Sequence, residues 1–212
     1  DLAISLGTGT PFLGQFTVPK RCSVAMISGE SCEAVIQESA RRICREKNVS
    51  LERDCRVVWS FTLPLLHSEE HRSGFQGVLR DREVKLVIID PLYLCRFAGA
   101  SALTTSSLHD VGAWLLTLAK TCLDAGATPV VVHHAAKNGR RLGYVPVMPL
   151  ELDDLALSAV GKFARQWILL SRTKPYIASN AQQELFMTVG GSAGHSGCWR
   201  LRVWEGVLGK DV

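Results

Sequence analysis

Residues 84–90 read Val-Lys-Leu-Val-Ile-Ile-Asp and are followed by Pro91. Such a dense aliphatic run lacks the alternation of a half-exposed strand, and it is the pattern of a strand covered on both faces. Strands of that kind belong to parallel sheets with helices above and below, and the alternation of such runs with longer segments of helical period along the chain argues an α/β fold. The run stops at Asp90. Proline cannot donate to a sheet ladder, so Pro91 predicts that the chain leaves the sheet there.

The rest of the chain agrees with that class. Val24, Ala25, Met26 and Ile27 make a second continuous apolar run, predicting a strand over Ser23–Ser28 and a helix over about 31–47. A strand over 55–61 and a polar helix over 68–79 precede the run at 84–89. A loop rich in small residues covers 98–106. Beyond it Val111, Trp114, Leu115, Leu118 and Cys122 share one helical face. Ser107 with Asp110 reads as the capping box of that helix, and Gly126 with Pro129 predicts its end before a strand over 130–133. Residues 135–149 carry two glycines, two prolines and the basic side chains Lys137, Arg140 and Arg141 without periodicity, the mark of a functional or disordered loop. A helix near 152–163 and a strand over 166–171 follow. The runs 184–189 and 198–204 flank the glycine-rich Gly190–Gly197 turn and predict a C-terminal antiparallel hairpin.

Composition sets outer limits. A chain of 212 residues with 47% hydrophobic side chains predicts one domain with a sizeable core over residues 1–212. No apolar run reaches the roughly 18 residues needed to span a bilayer. Seven cysteines are scattered without a C-x-x-C or a Cys/His cluster, which predicts reduced thiols and a cytoplasmic setting. The net charge of +4 is compatible with a polyanionic partner and does not by itself require one.

The chemistry-bearing residues gather at predicted strand ends. Asp90 closes a buried strand where open parallel sheets bind ligands, the position of a Walker B aspartate that holds Mg2+ against phosphates; the alternative is a residue that only starts a turn. Glu30 ends the first strand in Ser28-Gly29-Glu30-Ser31. With Asp90 on the metal, Glu30 is suited to orient or deprotonate a water attacking a phosphoryl group; alone, it is a helix-start glutamate. His133 and His134 end the predicted strand after that of Asp90, and His134, nearer the edge, is the preferred γ-phosphate sensor. Lys137, Arg140 and Arg141 are placed to touch nucleic-acid phosphates, against the alternative of a solvated loop. Arg165 and Arg172 bracket the later strand as candidate arginine fingers. No G-x-x-x-x-G-K-[ST] occurs, and Gly7-Thr-Gly9 lacks the Gly-Lys that should follow.

Together these segments resemble the RecA-like P-loop ATPases of the RepA type, relatives of the DnaB replicative helicases. The resemblance covers nearly the whole chain. It rests on residues 1–14, on Ser28-Gly29-Glu30, on 86–91, on the paired histidines with the basic loop, and on 151–154 through 164–172. It implies a RecA-like, mostly parallel twisted sheet flanked by helices, with ATP and Mg2+ as cofactors. Glu30 becomes the catalytic glutamate, Asp90 the Walker B aspartate and His134 the sensor, with His133 beside the nucleotide and Arg165 or Arg172 as the finger. It further implies single-stranded DNA as partner and a ring, expected to be a hexamer. Because residue 1 opens in an apparent helix, a P-loop is expected within about ten residues before Asp1. Two other readings remain open: a RecA-like regulatory ATPase that does not translocate, and a degenerate scaffold that does not hydrolyse ATP.

Overall fold

The computed structural model describes residues 1–66, 68–92, 108–136, 148–156, 158–174 and 182–204. They form two compact units, one built on residues 1–106 and 113–133 and the other on 107–112 and 134–212.

The first unit holds α1 (Leu2–Thr8), β1 (Ser23–Ser28), α2 (Glu33–Glu46), β2 (Val57–Ser60), α3 (Glu69–Asp81), β3 (Val84–Asp90), most of α4 (Leu108–Asp124) and β4 (Thr128–Val131). Its sheet has the order β2-β1-β3-β4 and every pair is parallel. This is the layout that the apolar runs at 23–28 and 84–89 predict. Val87 and Ile89 are fully buried, and Ile88 is nearly so. Ile88 packs with Val24 against Ala3 of α1, while its strand neighbours project to the opposite face. On one side α1 adds Ile4 to a cluster with Ala40 and Cys44 of α2. Side-chain bonds tie α3 to α4: Gln76 Nε2 donates to the Thr121 carbonyl (3.2 Å) and Arg80 Nη2 to that of Asp124 (3.1 Å). Val111, Leu115, Leu118 and Cys122 of α4 are buried together with Thr121, and Trp114 is half-buried, the face its helical period predicts.

One strand boundary differs from the sequence expectation. The strand predicted over 130–133 runs Thr128–Val131, so Pro129 lies inside it and both histidines fall beyond it. A proline is tolerated because, among the described residues, β4 has β3 as its one neighbour. β3 ends at Asp90, as Pro91 predicts, and backbone bonds beyond it still tie the chain after β3 to the chain after β4. Val132 N donates to the Ile89 carbonyl and Leu92 N to that of Val132, both at 2.9 Å. Gly126, at φ 80°, does end α4 as predicted; Ser107, the proposed cap at its start, lies outside the described residues.

The second unit contains a 3-10 turn (Leu152–Asp154), α5 (Ser158–Phe163), β5 (Gln166–Arg172), β6 (Gln182–Gly191) and β7 (Gly197–Trp204). The predicted hairpin is present as β6 and β7, with Val189 opposite Gly197 at the turn. It is the larger part of a three-stranded antiparallel sheet, because β5 pairs along β6. The helix predicted over 152–163 is broken into the 3-10 turn and α5. Asp154 turns back to accept from Glu151 N at 2.9 Å, completing a capping box around the short turn.

Burial of Ile89 predicts a large cost for removing its side chain. Ile89→Ala should lower unfolding free energy by about 2–5 kcal/mol through lost burial and a residual cavity. Leu116→Ala, on an α4 position that is 63% exposed, should stay within about 0.5 kcal/mol. Denaturant unfolding of the two variants checks the contrast.

Candidate nucleotide site at the parallel sheet edge

Parallel strands deliver their C-terminal ends to one edge, and here the register makes the alignment explicit. Ser28 stands opposite Asp90, and Gly29 N donates to the Asp90 carbonyl at 2.7 Å. The strand ends of β1 and β3 are therefore held side by side, with Glu30 two residues past the end of β1. Val132 is bonded to Ile89 and Leu92, which brings His133 to the same edge from the side of β4.

Burial differs sharply along this edge. Asp90 is half-buried, Glu30 is exposed, and both imidazole nitrogens of His133 are shielded from solvent. His134 is exposed and belongs to the second unit, where its carbonyl accepts from Ala156 N at 3.2 Å. The structure thus brings Glu30, Asp90 and His133 to one edge of one unit. The two histidines do not end a strand as expected, since β4 ends at Val131.

Two contributors at this edge carry no obvious sequence signal. The hydroxyl of Ser28, a residue only 3% exposed, accepts from Ser31 N at 3.4 Å and shapes the turn that presents Glu30. Gly29 lies against Leu63: a Cβ there would meet the Leu63 methyls at 2.9 Å, so that side chain would have to shift. The string Ser-Gly-Glu-Ser marks the turn, but the contact with Leu63 is long-range and invisible in it.

The donor set is made of hard oxygens, the carboxylates of Asp90 and Glu30. It fits Mg2+, which keeps several waters and takes one or two carboxylates together with phosphate oxygens. The phosphate-cradling Gly-Lys-Ser/Thr segment is not among these 212 residues.

In the second unit, Arg165 precedes β5 and Arg172 ends it, and both are exposed. Seven residues of strand put them about 24 Å apart, so one nucleotide cannot be met by both. Arg165 offers its carbonyl to Ser192 N at 2.9 Å. Lys137, Arg140 and Arg141 lie outside the described residues.

The profile of the AAA domain family matches residues 1–140, the stretch that supplies Glu30, Asp90 and His133. The chain belongs to the AAA domain family. Membership supports the coarse level of the resemblance, a RecA-like ATPase domain. A similar solved structure is the crystal structure of the RadB recombinase, at 12% identity and a TM-score of 0.46, covering 87% of this chain and 76% of that one. No curated protein matches the chain. Among the described residues no helix of this AAA domain is long and apolar enough to cross a membrane.

Thiol chemistry gives a direct check on the burial pattern of the two units. Burial pushes the Cys55 thiol up to about 11 and the Cys122 thiol up to about 12, so at pH 8 about one Cys55 in a thousand is the reactive thiolate and fewer of Cys122. Cys32, two residues past Glu30, and Cys198 are exposed. Iodoacetamide at pH 8 should therefore label Cys32 and Cys198 well before Cys55 and Cys122, read by peptide mass spectrometry.

Proposed function

We propose that this AAA domain is the ATP-hydrolysing body of a ring-forming DNA helicase or translocase of the RepA/DnaB type, acting on single-stranded DNA in plasmid or phage-like replication. In this reading both units form one functional domain, the assembly is a hexamer and the setting is cytoplasmic. The observation that carries the reading is the pairing of Ser28 with Asp90, which sets the Glu30 and Asp90 carboxylates on one edge of a parallel sheet. Two acids at one phosphate-binding edge support two roles. Asp90, half-buried at the end of β3, holds Mg2+, which supplies charge neutralisation on the β- and γ-phosphates. Glu30, exposed beyond β1, orients the attacking water and takes its proton.

His133 or His134 then reports the state of the γ-phosphate to the loop that follows. The sequence favours His134; the shielded ring of His133 and its place beside Leu92 support His133 as well. Arg165 or Arg172, too far apart to act together, serves a neighbouring subunit's nucleotide as the finger. Lys137, Arg140 and Arg141 grip the phosphates of the strand in the ring.

The division of labour has a sharp test in the full-length protein. Glu30→Gln keeps the size of the side chain and removes the base, so ATP binding should persist while kcat falls by about 10²- to 10⁴-fold. An unchanged kcat would leave Glu30 as a helix-start residue and remove the hydrolytic assignment. The partner is tested separately. Replacing Lys137, Arg140 and Arg141 by Ala should weaken binding to single strands of any sequence and flatten the slope of log K against log salt by roughly two. DNA stimulation of the ATPase should be lost while basal turnover survives. Identical slopes in wild type and triple variant would favour the regulatory ATPase over the translocase.

A further inference from the structure

The three-stranded sheet of the second unit carries a row of exposed, mostly polar residues along β7. Directly opposed residues of an antiparallel pair share a face. Phe186 stands opposite Arg200, Glu184 opposite Arg202 and Gln182 opposite Trp204, so these six residues lie on one side. On β7 the alternate residues Cys198, Arg200, Arg202 and Trp204 are all exposed, Trp204 to 63%. Among the described residues, β7 also lies at an edge of its sheet, with β6 as its one neighbour.

We propose that the Arg200, Arg202 and Trp204 row of β7 is a second contact for single-stranded nucleic acid, the two guanidiniums taking successive backbone phosphates and the Trp204 indole stacking on an unpaired base. This deepens the single-strand reading and rests on it. Residues two apart on an extended strand are about 7 Å apart, so Arg200 and Arg202 form a linear array that a nucleic-acid backbone can track. The Arg200 guanidinium sits 5.2 Å from the centre of the Phe186 ring, which fixes its plane while leaving its outer edge to solvent.

Among the described residues of β5, β6 and β7, Glu184 is the one acid, and it is already engaged. Glu184 is ion-paired to Lys174 at 3.1 Å, and that lysine holds its carboxyl below the usual range with smaller help from Arg202 and Arg200. Counting Lys174, Arg200 and Arg202 against Glu184 leaves two positive charges. Glu151 and Asp153 line a cleft with Trp167, Thr188 and Cys198. Cys198 is six strand residues from Trp204, about 20 Å. An anion is therefore favoured at the Trp204 end and repelled at the other. Charge complementarity selects a polyanion, and the exposed indole selects one with unstacked bases.

The test uses the full chain, a fluorescein-labelled oligo-dT of about 16 nucleotides, the upper site size for one binding domain, and anisotropy titrations at several salt concentrations. Arg200→Ala with Arg202→Ala should make the slope of log K against log salt shallower by about 1.4, since each single-strand phosphate contact contributes about 0.7. Arg200→Lys with Arg202→Lys should keep the slope, which separates lost charge from lost folding. Trp204→Ala should weaken binding roughly 5- to 100-fold at unchanged slope. If these variants match wild type while the Lys137, Arg140 and Arg141 variant loses affinity, the β7 row is overturned and the single-strand reading stands. If wild type binds no oligo-dT at low salt, both fall. A loss with the double arginine variant but none with Trp204→Ala, or equal competition by phosphatidylserine vesicles, overturns base stacking and leaves a general anion surface.

Discussion

The parallel pairing of β1 with β3 is the constraint from which the first unit follows. It gathers the chain after both strands at one sheet edge, and the bond from Gly29 N to the Asp90 carbonyl extends the register past the end of β1. Both faces of β3 are apolar, so a slip of one residue would not be punished by exposing a hydrophobic face, as it is in half-buried strands. Register must instead be fixed where the strands end. The Ser28, Gly29 and Asp90 contacts do this at the functional edge, and the irregularity between Ser23 and Val24 absorbs the mismatch at the other end.

That logic explains what the sequence revealed and what it hid. The strands at 23–28 and 84–89 were legible because continuous aliphatic runs have no other common use in a chain of this composition. The buried face of α4 was legible because Val111, Leu115, Leu118 and Cys122 keep helical spacing. The limits of β4 were not legible from local rules. Pro129 is read as a stop unless one already knows that its strand lies at an edge, which is a property of the whole sheet. The limits of β5 match the strand expected over 166–171, but its antiparallel pairing was hidden. Trp167, Ile168, Leu169 and Leu170 are all apolar, so the segment shows no alternation that would reveal an antiparallel strand with Ile168 and Leu170 exposed.

The candidate site divides along the same line. Asp90 and Glu30 could be picked out because each terminates an apolar run, and the parallel class puts such ends together. Residues whose role depends on packing left no trace: Gly29 reads as a turn glycine until the approach of Leu63 is seen. The histidines were found as a pair, but the assignment between them relied on a strand that ends two residues earlier. With β4 closing at Val131, burial takes over from strand alternation as the distinguishing property, and it separates a shielded His133 from an exposed His134.

The unequal burial of the two carboxylates has a physical use of its own. A metal-holding acid must keep its position while charge on the phosphates changes, and Asp90 is held by the backbone of a central strand with a bonded neighbour on each side. An acid that activates water needs room for that water and freedom to approach it, and Glu30 stands on the turn between β1 and α2, in solvent. Exchanging the two residues between these environments would put the flexible position under the metal and the rigid one against the water. Under the proposed roles, the sheet would therefore supply more than a place for two acids, with the lengths of β1 and β3 deciding which of them suits each task.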